Sequence, residues 1–91
     1  MNTAIKFRNA YVLNSGFRLQ WEKAQDSYVL LYPEGMVQLS FSASEVLLLC
    51  DGKNTAAEVI TVLEEKFPDA EGLAVDVKEF LQEAIDNGWL E

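Results

Sequence analysis

The sequence predicts an α+β fold: a three-stranded antiparallel sheet followed by three helices, with the outline of a winged helix-turn-helix. Three observations lead there. Apolar residues alternate with polar ones in the first half of the chain, the period of a half-buried strand. From Ser42 onward they recur at spacings of three and four, the period of an amphipathic helix. Clusters of Gly, Pro, Asn and Asp divide the chain into segments of strand or helix length. Strands first and helices second, rather than in alternation, indicate helices stacked on one sheet.

Residues 1–15 show little periodicity and are expected to be a weakly ordered N-terminal segment, ahead of a single domain over residues 16–91. Asn14-Ser15-Gly16 reads as a turn. Phe17, Leu19 and Trp21 alternate with Arg18, Gln20 and Glu22, which gives the first strand. Lys23 to Ser27 is the polar hairpin loop. Tyr28-Val29-Leu30-Leu31-Tyr32 is apolar on both faces, as a central strand is. Pro33-Glu34-Gly35 is a turn, and Met36 to Phe41 alternates again as the third strand. Ser42-Ala43-Ser44-Glu45 has the pattern of a capping box and opens helix one, which Asp51-Gly52 stops. Thr55 or Asn54 caps helix two, whose stripe is Ala56, Val59, Ile60, Leu63 and Phe67. Phe67-Pro68 ends it, since the residue before proline avoids the helical region. Asp69 to Gly72 is a loop. Helix three carries Val77, Phe80, Leu81, Ala84 and Ile85 on one face; Asn87-Gly88 ends it, and Trp89-Leu90 folds back on the core.

At 91 residues and 49% hydrophobic the chain has the size of one domain and too much apolar content for disorder. Histidine is absent, which removes imidazole as base, ligand or pH switch. One cysteine excludes an internal disulfide and Cys-rich zinc patterns. The longest apolar runs are five residues, against about 20 for a membrane span. No signal-peptide block opens the chain. A soluble cytoplasmic domain is expected, without metal or cofactor.

Charge is uneven: residues 1–41 carry net +1 and residues 42–91 net −9. The second half repels phosphate and anionic lipid and attracts basic partners. The helix that would read DNA in a winged helix, Thr55 to Phe67, carries Glu58, Glu64 and Glu65 against Lys66, so duplex DNA is a poor partner.

No residue set assembles a nucleophile, a base and an orienting group. Gly52-Lys53-Asn54-Thr55 partly matches a phosphate loop, but Leu47 stands at the required first glycine and Asn54 follows the lysine. Asp69 and Glu71 resemble the start of a calcium loop, yet Leu73 holds its fifth position. Glu64 and Glu65 point about 100° apart on a helix and form no dyad. Cys50 reads as a small buried residue. Trp21, Tyr28, Tyr32 and Phe41 read as core aromatics at strand period. What remains is binding. An outer strand, Met36 to Ser40, offers unpaired backbone to an extended peptide, with an apolar helix face beside it. Leu48, in the all-apolar run Val46 to Leu49, suggests a second contact surface on helix one.

Several segments, in order, closely resemble the PqqD family of pyrroloquinoline quinone (PQQ) biosynthesis. They are Arg18-Leu19-Gln20-Trp21-Glu22, Tyr28 to Val37 with its Tyr-Pro-Glu-Gly-Met core, Leu49-Cys50-Asp51-Gly52, and Gly88-Trp89-Leu90. The resemblance covers about residues 16–90. It implies a non-catalytic peptide chaperone, a recognition element that binds the ribosomal precursor peptide PqqA and presents it to the radical SAM enzyme PqqE. It further implies that the peptide adds to the third strand and lies against the third helix. Carried onto this chain, the peptide-binding residues are Met36, Val37, Gln38, Leu39 and Ser40, with Val77, Phe80, Leu81, Ala84 and Ile85. A monomer is expected, with a dimer formed through the strand edge or by strand swapping as the alternative. A recognition element for another modified peptide and a DNA-binding winged helix are the alternatives.

Overall fold

A computed structural model describes residues 4–91. The expected architecture is present: β2 (Arg18–Glu22), β3 (Ser27–Tyr32) and β4 (Gly35–Gln38) form an antiparallel sheet in that order, and α1 (Phe41–Leu49), α2 (Ala56–Lys66) and α3 (Leu73–Asp86) follow. The central strand is as apolar as its sequence. Val29 and Leu30 are both 0% exposed. Leu30 faces the helices with Leu19 and Val37 beside it, whereas Val29 faces the other way between Gln20 and Gln38. Val46, Leu47, Val59, Leu63, Val77, Leu81 and Ala84 close the core from the helical side.

Two further strands accompany this frame: β1 (Ala10–Val12) and β5 (Asp51–Thr55), paired antiparallel. Neither carries a strand pattern. β1 is too short to show alternation, and Asp-Gly-Lys-Asn-Thr has low β propensity. Pairing makes up for propensity here. Gly52 sits at φ +81°, a left-handed conformation that glycine adopts without strain and that turns the chain from α1 into β5.

The N-terminal segment is thereby knitted into the domain, at least from Ile5 onward. Tyr11 is buried, and its hydroxyl accepts the Lys6 N–H at 2.9 Å. The Ile5 N–H donates to Gln82 Oε1 of α3, and the carbonyls of Phe7 and Asn9 accept the first amides of α2. The chain ends are clamped together. Val12 and Glu91 exchange both backbone bonds, and the Asn14 side-chain amide donates to the carbonyls of Gly88 at 2.6 Å and Leu90 at 3.4 Å.

Three local expectations need correction. Ser40, not Ser42, caps α1, its Oγ accepting the Ala43 N–H at 3.1 Å. The third strand accordingly stops at Gln38 rather than Phe41, and Glu45 bonds with Lys66 instead of closing a box. The full capping box belongs to α2, with Thr55 and Glu58. Phe41 and Trp21 are not core: they are 67% and 49% exposed. Phe41 opens a helix at its solvent edge, and Trp21 lies at the hairpin end of the sheet, stacked edge-on against Tyr28.

Candidate peptide groove

β4 is an outer strand, and its pairing determines which of its backbone groups are free. The Leu39 N–H donates to the Tyr28 carbonyl at 3.1 Å, so in an antiparallel ladder Leu39, Val37 and Gly35 bond inward. Met36 and Gln38 then direct their N–H and C=O groups outward. Their side chains are also exposed, Met36 at 50%, whereas Val37 is half-buried and Leu39 is buried in the core. The strand therefore offers an alternating edge of free backbone at Met36 and Gln38.

Just beyond this edge along the chain lies an apolar cavity. Ser40, two residues past Gln38, lies at its mouth. The cavity holds about 300 Å³ between the start of α1, the end of α2 and the start of α3. Val46, Leu63 and Val77, all buried, line it together with Phe41, Phe67 and Phe80. Phe41 meets Phe67 edge-to-face at 5.9 Å, and Phe80 leans on Trp89 at 6.4 Å. Gly72, at φ +68°, turns the chain into α3 so that Leu73, Asp76, Val77 and Phe80 face the opening.

Two carboxylates belong to the lining. Glu45 is paired with Lys66 at 2.8 Å, and the Lys66 ammonium also lies 5.6 Å from the Phe67 ring centroid. Asp76, in the first turn of α3, is exposed, and its carboxylate has no partner among the described residues.

Of the ten residues expected at a peptide site, Ser40, Val77 and Phe80 meet at this cavity, and Met36 and Gln38 offer the free edge. Val37 and Leu39 turn their side chains inward. Leu81 and Ala84 are core, and Ile85 is half-buried beyond the cavity lining. The periodic stripe of α3 marks its buried face, whereas the cavity takes the flank beside it. Sequence reasoning missed Phe41, Val46, Leu63, Phe67, Leu73 and Asp76. The available signal was a phenylalanine at each of two helix ends, Phe41 and Phe67, where a core stripe does not need one.

Away from the groove, burial and then the adjacent Asp51 carboxylate push the Cys50 thiol up to about 12. The backbone amides of Asn54 and Lys53, each at 2.9 Å, hold the Asp51 carboxyl below its ordinary value. Among the described residues no group of His, Cys, Asp or Glu is gathered to hold a metal, and no helix is long and apolar enough to cross a membrane.

A three-stranded sheet with an open outer strand, three helices on one face and an apolar cleft where they meet define a winged-helix-like recognition domain. Comparison with known proteins makes this specific. Residues 27–90 match the family model for coenzyme PQQ synthesis protein D, and the chain belongs to this PqqD family. A PqqA binding protein of Kluyvera intermedia is 53% identical over 76 residues, covering 84% of this chain and 83% of the relative. The PqqA binding protein of Acinetobacter baylyi is 51% identical over 79 residues, 87% and 80% of the two chains. Among solved structures, the PqqD truncation of Methylobacterium extorquens PqqCD superposes with a TM-score of 0.79 at 27% identity, covering 99% of this chain and 97% of that one. That protein is described as a functional, stand-alone recognition element for ribosomally synthesized and post-translationally modified peptides.

Proposed function

We propose that this protein binds the precursor peptide PqqA as an added strand on β4 and presents it to PqqE, taking no part in the chemistry itself. The observation that carries the binding mode is the outward backbone of Met36 and Gln38, two residues along the chain from Ser40 of the cavity lining. Backbone pairing supplies affinity whatever the side chains, and the cavity supplies selectivity by taking an apolar one. The choice of PqqA rests on relatives of about half-identical sequence that bear its name. Presentation to PqqE rests on the resemblance of the sequence to its family. The reading has the protein act as a monomer in the cytoplasm, where a lone free thiol is at home.

Titration of isotope-labelled protein with synthetic PqqA tests it. Saturable shifts are expected at residues 36–40 and in the cavity-facing part of α3. Absence of shifts both with the peptide alone and after addition of PqqE would overturn the proposal.

A further inference from the structure

The cavity is small, at the lower end of the roughly 300–1,000 Å³ common for ligand pockets, and its walls are three phenylalanines over an aliphatic floor. That is room for a large apolar or aromatic side chain. The rim adds an asymmetry. Glu45 has its cation in Lys66, whereas Asp76 has none among the described residues, on a chain half that carries net −9. Asp76, in the first turn of α3, thus places an exposed carboxylate at the cavity lining with no cation beside it among the described residues.

We propose that Asp76 is a charge-reading residue: the occupant of the groove is a peptide that seats an apolar or aromatic side chain in the cavity and carries a lysine or arginine close beside it, which pairs with Asp76. This rests on the groove being the peptide site. In an extended peptide successive residues are about 3.3 Å apart and alternate in direction, so a cation within about two residues of the seated side chain comes within reach of Asp76. The arrangement selects by charge as well as by shape. A peptide of equal hydrophobicity with an acidic residue at that position meets like charge at the mouth and is rejected.

The test measures affinities of synthetic PqqA, and of versions with each basic residue replaced by glutamate, for the wild type, Asp76→Asn, Asp76→Lys and a control, Asp26→Asn. Asp26 lies in the β2–β3 hairpin, outside the cavity lining, and its positive φ of 51° suits asparagine. The expected loss for Asp76→Asn is about two- to fivefold at low salt, shrinking as salt rises, with no loss for the control. Asp76→Lys is expected to lose more and to bind one of the glutamate-bearing peptides better than the wild type does. If wild-type protein binds PqqA but both Asp76 variants bind it equally well and no charge exchange rescues, the charge-reading role is wrong and the groove stands. Loss in Asp26→Asn equal to that in Asp76→Asn would replace Asp76 with the general field of the acidic chain. If the wild type binds no peptide, the groove reading fails as well.

Discussion

A proline at Gln38 separates the peptide edge from the fold. Gln38 directs its N–H outward from the last position of β4, so in the free protein that amide bonds only to water. Proline removes it, and edge strands accept proline where the amide faces solvent. The preceding Val37 is already extended, as a residue before proline prefers. Gln38→Pro should therefore stay folded with little loss of stability, while an added strand loses one donor. A net backbone hydrogen bond contributes about 0.5–1.5 kcal/mol, which corresponds to roughly two- to twelvefold in affinity for the peptide. Val37→Pro is the contrasting case. Its N–H bonds inward toward Leu30, which is 0% exposed, and removing it strands a buried carbonyl at a cost of about 1–3 kcal/mol of stability. Urea denaturation and calorimetric titration of both variants, with Gln38→Ala to isolate the side chain, make the measurement. A folded Gln38→Pro that binds PqqA as tightly as the wild type would refute strand addition at β4. Equal destabilisation by both prolines would refute the register from which the outward amides were assigned.

Further outcomes follow from the same geometry. Asn14→Ala removes both side-chain bonds to the C-terminal carbonyls of Gly88 and Leu90 and should cost about 1–3 kcal/mol, read from the urea midpoint. Thr55→Ala opens the capping box of α2 and should cost about 1 kcal/mol in the same assay. Cys50 should not react with a thiol reagent at pH 8 until the protein is denatured. Its pKa rises from 9.0 unfolded to about 12 folded, so above pH 9.0 the unfolded chain releases a proton that the fold retains. Stability should then fall with rising pH by up to about 1.4 kcal/mol per unit, a slope that Cys50→Ala lacks.

Much of this fold is visible in one sequence because its largest elements bury one face each. The alternation at Phe17 and Leu19 and the stripe from Ala56 to Leu63 mark their strand and helix because burial imposes the period, whereas Trp21 keeps the alternation at the exposed hairpin end. β1 and β5 escape for the opposite reason. Ala10–Val12 is too short to show a period, and Asp51–Thr55 is polar and at most half-buried, so only pairing makes it a strand. The capping motif at Ser42 misleads because Ser40 offers the same oxygen two residues earlier, just ahead of Phe41. The groove is half legible. An outer strand of short alternation announces the edge at Met36 and Gln38. The cavity does not announce itself, because Phe41, Phe67 and Leu73 come from three helix ends that only the tertiary fold gathers. Leu48, singled out by the apolar run, is indeed exposed at 47% and stands outside the groove.

Amide hydrogen exchange at Met36 and Gln38, with and without PqqA, tests the central claim most directly. In the free protein these two amides should exchange faster than those of Val37 and Leu39, which are bonded to β3. Saturating peptide should slow Met36 and Gln38 while leaving β2 unchanged. Unaltered exchange at both positions in a complex that demonstrably forms, or new protection along Arg18–Glu22 on the opposite edge, would contradict the account.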